Sequence, residues 1–289
     1  MSSAQQLFAV TPEGPQRLAV PAGLADPGEV FDPLPLGIYE ALRTFDHVRF
    51  VGLREHLDRA ERSMELFGLE GPMGRETLQA ALHSVVSNFP AADVKVRFDV
   101  LCGPATQLGT TARTLLQATE LSLPPREVYE RGVCSQLTSA LRRERPGIKT
   151  TQWVVERRLA QGGSPANYEP ILRSEEGFLL EGIMSNLFAV RDGVLLTAPM
   201  SGVLPGVTRG ILIELARELE IPVLEEAVHE DDLGTLQEAF LSTSVRSVVP
   251  LVKIAGVSLG DGRPGPQTKR LMHAYGEYCA RVARPALPS

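Results

Sequence analysis

At 289 residues, 43% apolar and 22% charged, the chain has the balance of a folded globular protein, with room for one large domain or two ordinary ones. A net charge of -6 with no run of like charge gives no general attraction to nucleic acid or anionic lipid. No uninterrupted apolar stretch reaches the roughly 18 residues of a membrane span, so small-molecule chemistry is the class that remains.

The first residues, "MSSAQQLFAVTPEG", lack the basic start and apolar stretch of a secretory signal, and the expectation is a cytoplasmic protein. Cys102, Cys134 and Cys279 form no CxxC pair and read as reduced thiols, suited neither to disulfides nor to zinc. The first 36 residues, rich in proline and glycine and ending in "DPLPL", predict short strands and turns. In "LREHLDRAERSMELFGL", Leu57, Ala60, Met64 and Phe67 recur at steps of three and four, the period of an amphipathic helix, with Gly68 as its stop. A second helix is expected from Arg75 to Asn88. Both should pack on a sheet that includes "DVKVRFDVLC", where Val94, Val96, Phe98 and Val100 alternate with Lys95, Arg97 and Asp99.

The paired prolines of "SLPPRE", after the apolar run "RTLLQATEL", mark a linker. They predict a small N-terminal domain over 1–120, a linker over 121–127 and a larger C-terminal domain over 128–289. Beyond the linker, "GVCSQLTS" reads as a strand and "GFLLEGIMSNLFAVRDGVLLTA" as two strands joined by the hairpin turn "RDG". A helix from Thr208 to Leu219, with Ile211, Leu215 and Leu219 on one face, precedes the strand pair of "EAFLSTSVRSVVPLVKIAGVSL". A C-terminal helix of about Thr268 to Val282 closes the series, and no internal repeat is present.

Several constellations bear on chemistry. "GVSLG" around Ser258 fits the G-x-S-x-G pattern of serine hydrolases, but that pattern needs a following helix, and the turn residues "DGRPGPQ" predict a glycine-rich hairpin. His47, His56, His83, His229 and His273 are scattered, with no close pair of metal-ligand spacing. In "GVLPGVTRGILIEL", Thr208 is placed as an N-cap, and the free N–H groups of such a helix start suit phosphate; a plain capped helix is the alternative. "LSTSVR" offers hydroxyls at Ser242, Thr243 and Ser244, either a second anion cradle or an ordinary turn.

Of 29 basic residues only four are lysines, and arginine cannot serve as an amine nucleophile. Lys149, in "ERPGIKTTQW", lies near Arg142, Arg143 and Arg145, whose charges together with burial would favour the neutral amine that forms Schiff bases. A solvated surface charge is the alternative. Glu181 follows "GFLL" on an apparently buried strand and needs a partner there, whether a protonated ring nitrogen, an arginine or backbone amides.

Together these pieces resemble the class IV (fold type IV) pyridoxal-phosphate-dependent aminotransferases, the group of branched-chain and D-amino acid aminotransferases and aminodeoxychorismate lyase. The stretches that carry the resemblance are "GIYEALRTF", "LREHLDRAERS", "GIKTTQW", "LLEGIMSNLFAVRDGVLLTAP", "GVLPGVTRGILIELARELEIPV", "EAFLSTSVRSVVPLV" and "GDGRPGPQTKRL", in the family's order across residues 37 to 275. The resemblance implies an α/β, two-domain fold, a smaller N-terminal α/β domain and a larger C-terminal one with a β-barrel-like core. It makes Lys149 the Schiff-base anchor of pyridoxal 5′-phosphate and the carrier of a proton between Cα and C4′, and Glu181 the acid that keeps the pyridine nitrogen protonated. By the same likeness the phosphate falls to Arg59, to the amides of Val207 and Thr208 with the Thr208 hydroxyl, and to Thr243 and Ser244. Leu204 packs on one face of the ring, and Asn186 supports the glutamate.

Substrate markers are mixed. Tyr39 matches an aromatic position beside the substrate, while Lys95-Val96-Arg97 stands where branched-chain enzymes often have Tyr-Ile-Arg. The carboxylate-binding arginine of bacterial D-amino acid enzymes would fall near Val100, leaving Arg97 and Arg246 as candidates for the substrate carboxylate. Trp153 lies close to a position where relatives place a tyrosine near the cofactor's phenolic oxygen. The expectation is a transaminase acting on an amino acid and a 2-oxo acid, a homodimer as in related enzymes, with no nucleic acid, membrane or metal. The alternatives are aminodeoxychorismate lyase, a hydrolase using Ser258, and a homologue without turnover.

Overall fold

The structure, a computed structural model, describes residues 5–24, 26–160 and 167–287. The chain forms two compact units. The first is Met1–Ser122, Ile148–Val155 and Cys279–Ser289; the second is Leu123–Gly147 and Glu156–Tyr278. The chain thus leaves the first unit inside the proline-rich stretch and makes a short return to it that carries Lys149.

In the first unit, β1 (Gln5–Thr11), β2 (Gly14–Leu18), β3 (Gly37–Phe45), β4 (Arg49–Phe50), β5 (Val94–Leu101) and β6 (Thr114–Glu120) form an antiparallel sheet in the order β4-β3-β5-β6-β1-β2. The short strand Arg284–Pro285 adds to the β4 edge. Helix α1 (Leu53–Phe67) buries Leu57, Ala60 and Met64 and stops at Gly68, whose left-handed φ of 80° turns its N–H back onto the Met64 and Glu65 carbonyls. With α2 (Arg75–Ser87) it covers the β5 face that carries Val94, Val96, Phe98 and Val100.

The opposite face of β5 differs from the half-exposed face that alternation suggests. Lys95 is exposed, but Arg97 and Asp99 are buried, because a second apolar cluster that includes Val30, Phe31, Leu101 and Leu115 lies over that side. A sheet covered on both faces must pair any charge it keeps.

The second unit contains α3 (Arg126–Arg131), β7 (Val133–Ser135), β8 (Leu137–Thr138), the C-terminal part of α4 (Thr151–Ala160), β9 (Ile171–Arg173), β10 (Leu179–Gly182) and β11 (Asn186–Arg191). It continues through β12 (Val194–Leu196), α5 (Val207–Glu218), β13 (Val223–Leu224), β14 (Glu238–Thr243), β15 (Ser247–Ile254), β16 (Val257–Ser258) and most of α6 (Pro266–Val282). The sheet runs β16-β15-β14-β11-β10-β9-β8, with β12 on β11 and β13 on β12.

The expected single strand "GVCSQLTS" is instead two. β7 pairs with β15 near one end of the sheet and β8 with β9 at the other. Only Gln136 separates them, so the two ends of the sheet are drawn together and it curls into a barrel-like form. The "RDG" turn joins β11 to β12 with Asp192 and Gly193 at φ 51° and 77°, the paired left-handed residues of a tight hairpin. Helix α5 begins one residue earlier than expected: Gly206 is its N-cap, and Thr208 lies inside the first turn and is not the cap. Among the described residues no helix is long and apolar enough to cross a membrane.

Candidate active site

In the first unit, β3 organises the lysine segment. Tyr39 N–H donates to the Lys149 carbonyl (2.9 Å), Ile38 bridges Thr150, and Gly37 N–H donates to Thr151 Oγ1 (2.9 Å). Gly37 has no room for a side chain, since a Cβ would fall 2.1 Å from the Val100 carbonyl oxygen. The half-buried Lys149 is thereby held with its amine 4.8 Å from the centre of the Tyr39 ring. The Arg97 guanidinium also lies 4.8 Å from that centre and 3.9 Å from the Phe31 ring, so Lys149, Tyr39 and Arg97 come together. Arg97 donates through Nε and Nη2 to the two oxygens of Asp99, both at 2.7 Å. Burial pushes the Asp99 carboxyl above its usual range, and the charge and bonds of Arg97 only partly oppose it.

Arg59, the other first-unit candidate, faces a different acid. Its Nε and Nη2 donate to Glu40 Oε1 and Oε2 at 2.7 and 2.6 Å, and His56 Nδ1 reaches Glu40 Oε2 at 2.8 Å. All three side chains are buried. Burial alone would raise the Glu40 carboxyl, but the Arg59 charge and the bonds from His56 and Arg59 hold it well below the carboxylate range. Burial lowers the His56 imidazole; the Glu40 bond and charge oppose this, and the charges of Arg59 and Lys149 add to it. A neutral His56 then donates Nδ1–H to the carboxylate. The sequence reading missed Glu40 and His56. The available signal was the His-x-x-Arg spacing, which puts His56 and Arg59 on one helix face opposite a strand glutamate. Trp153 is buried in the first turn of α4, its backbone N–H 3.3 Å from Thr150 Oγ1.

In the second unit, Glu181 is buried at the end of β10, paired in register with Asn186 of β11. Its Oε1 accepts from Arg143 Nε (2.7 Å), and its Oε2 accepts from Leu204 N–H (3.0 Å) and Asn186 Nδ2 (3.2 Å). Asn186 Nδ2 also donates to the Leu204 carbonyl (2.8 Å), so Glu181, Asn186 and Leu204 form one bonded group. Of the partners foreseen for this acid, an arginine and an amide are both present, and the arginine is Arg143.

Thr208 brings its hydroxyl to 3.2 Å from Ser244 Oγ and 3.4 Å from Tyr275 Oη, a three-hydroxyl cluster at the start of α5. Tyr275, on α6, was not singled out in the sequence; only the helix packing brings it here. Thr243 Oγ1 accepts the Arg246 N–H (2.8 Å) in the turn between β14 and β15. The Arg246 side chain donates to Glu169 Oε2 (2.6 Å) and lies 5.2 Å from the Tyr168 ring centre. Burial would lower the Arg246 guanidinium, but the charges and bonds of Glu169 and Tyr168 together outweigh it and raise it.

Ser258 is exposed on β16, and turn residues rather than a helix follow it, so no strand–turn–helix nucleophile elbow forms. Among the described residues no group of three or more potential ligands is placed to hold a metal.

Residues 37–254 match the family model of the amino-transferase class IV. The chain belongs to the class IV aminotransferases. This aminotransferase is 29% identical over 254 residues to the branched-chain-amino-acid aminotransferase of Escherichia coli, covering 82% of each chain. It is 26% identical to the D-alanine aminotransferase of Bacillus licheniformis, over 82% of this chain and 86% of the other. The branched-chain aminotransferase of Thermoproteus uzoniensis has the same fold, with a TM-score of 0.78 at 23% identity over 98% of this chain and 99% of that one. The chain is therefore a pyridoxal-phosphate-dependent aminotransferase of fold type IV, and none of these likenesses favours the lyase.

Proposed function

We propose that Lys149 is the covalent anchor and proton carrier of this aminotransferase, that Glu181 serves the ring nitrogen of the cofactor, and that Arg97 meets the substrate carboxylate. The observation that carries the reading is the Tyr39 ring shared by the Lys149 amine and the Arg97 guanidinium, each 4.8 Å from its centre. An amino acid carries its carboxylate on the same carbon as the proton to be moved, and a lysine and an arginine about one ring suit the proton and the carboxylate.

The donor set fits pyridoxal 5′-phosphate. A buried carboxylate flanked by an amide N–H and Asn186 suits a pyridinium N–H, and the Thr208–Ser244–Tyr275 hydroxyls at a helix N-terminus suit a phosphate dianion. When bound, the cofactor supplies an electron sink conjugated to the substrate Cα. Lys149 Nζ takes the Cα proton and returns it at C4′. Glu181 holds a proton at the ring nitrogen, with Asn186 keeping its Oε2 oriented. The phosphate falls to Arg59, Thr243, Ser244, the amides of Val207 and Thr208 and the Thr208 hydroxyl, and Leu204 packs on the ring. Arg246, the second candidate for the substrate carboxylate, is paired with Glu169 as Arg97 is with Asp99, and Arg97 is preferred because it shares the Tyr39 ring with the Lys149 amine. Arg97 also carries Asp99 on its Nε and Nη2, so a substrate carboxylate would share the guanidinium with that acid.

We further read the enzyme as a cytoplasmic homodimer, a reading supported by the free thiols of Cys102 and Cys134 and by the family likeness. The test is a screen of D- and L-amino acids as donors, with pyruvate or 2-oxoglutarate as acceptor and the cofactor's visible absorbance as readout. Transfer in one stereochemical series is expected, with loss of activity in Lys149→Ala and borohydride fixing the cofactor to Lys149 in the parent. Transfer in no pairing, or fixation at another lysine, overturns the reading.

A further inference from the structure

The loop between Glu181 and Asn186 is held from outside by one buried acid. Glu169 is 1% exposed. Its Oε1 accepts the Met184 N–H at 2.6 Å and the Ser185 hydroxyl at 2.8 Å. The neighbouring Pro170 carbonyl accepts the Ile183 N–H at 3.1 Å, so three consecutive loop residues are bonded to the same short segment. The approach is close enough to dictate sequence: a Cβ at Gly182 would fall 2.3 Å from Glu169 Oε1 and 2.4 Å from Ser185 Oγ.

The other oxygen of Glu169 points to a different part of the unit. Oε2 accepts from Arg246 Nη2 at 2.6 Å, and Arg246 belongs to the turn that carries Thr243 and Ser244. The backbone N–H of Arg246 is bonded to Thr243 Oγ1 (2.8 Å), and its carbonyl accepts from the Tyr129 hydroxyl (3.1 Å), so the arginine is fixed at both ends. A single buried carboxylate therefore links the loop that aims Glu181 to the turn that presents the Thr243 and Ser244 hydroxyls.

We propose that the Glu169–Arg246 ion pair is a positioning brace that sets the spacing between the ring-nitrogen acid and the phosphate-binding turn, and that Arg246 serves this brace and not the substrate carboxylate. The inference rests on the roles given above to Glu181, Thr243 and Ser244. The cofactor's ring is rigid and its phosphate arm is short, so groups that grip the ring nitrogen and the phosphate must keep their separation within a narrow range. Hydrogen bonds across antiparallel strands allow shear and twist, whereas a charged pair with three short bonds at one carboxylate resists both.

The test uses the holoenzyme loaded with pyridoxal phosphate carrying ¹⁵N in the ring. In Glu169→Gln the amide can still accept from Met184 and Ser185 but presents N–H to Arg246, so the brace is cut at the arginine. The ring-nitrogen signal should move toward that of unprotonated pyridine, and the cofactor should bind about tenfold more weakly, the cost of a group displaced by a fraction of an ångström. The kcat should fall about 10- to 100-fold with KM for the amino acid changed less than about twofold. Ser185→Ala removes one loop bond and leaves the ion pair, and it should shift the nitrogen signal in the same direction by less. An unchanged ring-nitrogen signal and cofactor affinity in both variants overturn the brace, as does a rise in the amino acid KM with kcat preserved. Glu181→Gln separates the two levels. If it leaves the ring-nitrogen signal in place, the role of Glu181 fails and the brace with it; if it moves the signal while the other two variants do not, the brace alone fails.

Discussion

The two units treat buried charge differently. In the first, Glu40 and Asp99 each face one arginine through two side-chain bonds, and the acids lie on strands whose backbones are occupied by the sheet. In the second, Glu181 and Glu169 divide their oxygens between an arginine and the loop they hold, accepting the Leu204 and Met184 amides together with Asn186 and Ser185. A paired charge inside a covered sheet contributes to the fold as a pair and leaves an uncompensated ion when one partner is lost. A carboxylate shared with loop amides acts mainly on geometry, because the loop follows the acid. Loss of charge should therefore appear as lost stability in the first unit and as lost cofactor grip in the second.

The largest expected effect is that of Glu40→Gln. It strands the buried Arg59 guanidinium and should lower stability by about 3–5 kcal/mol. Trp153, the single tryptophan, belongs to the first unit and reports on it by fluorescence during urea unfolding. A midpoint equal to that of the parent would break the contrast between the units.

Gly206→Ala should sharpen it from the other side. The φ of Gly206 is -67°, open to any residue, but a Cβ there would meet Asn186 Oδ1 at 2.0 Å. Asn186 must then give up its place between Glu181 and Leu204, at a cost of about 1–3 kcal/mol. The loss should appear as weaker pyridoxal phosphate binding in a reconstitution titration, with the Trp153 transition little moved.

The smallest effect is that of pH. The folded Glu40 carboxyl ionises below its reference value of 4.5, so its stabilisation is present above that pH and is lost as pH falls through the folded value. The folded His56 titrates below 6.5, so the unfolded chain takes up that proton first and stability begins to fall below 6.5. Asp99, raised by burial, works in the opposite direction, since the folded form takes its proton first as pH falls. The Trp153 midpoint should decline from pH 7 towards pH 4.5 through His56, less steeply than His56 alone would require because Asp99 opposes it, and the contribution of Glu40 should be lost only below that interval. A midpoint that rises over that interval would show that Asp99 outweighs His56.

Local patterns were legible where neighbours along the chain decide the outcome. The period of Leu57, Ala60 and Met64 with Gly68 behind it announces α1, and "RDG" announces a tight hairpin, because side chains three or four apart, or adjacent left-handed residues, need no distant partner. Lys149 and Glu181 stood out as chemical oddities, a lysine in an arginine-rich chain and an acid after an apolar run. Helix α4 did not, since its first turn carries β-branched Thr151 and polar Gln152 and its burial depends on elements far away in the chain. The split of "GVCSQLTS" into β7 and β8 was equally hidden, because its two halves pair with strands at opposite ends of one sheet.

By itself the sequence determined the class of fold, the family, and the reactive groups the chain brings to its chemistry. Tertiary structure alone decided which acid three of the arginines would meet, Arg59 with Glu40, Arg143 with Glu181 and Arg246 with Glu169, whereas Arg97 and Asp99 lie two apart on one strand and share a face by alternation. Identity and spacing are local properties, readable along the chain. The partner of a buried charge is set by which strands and loops pack beside it, and a guanidinium carries no sequence mark of the carboxylate it will find.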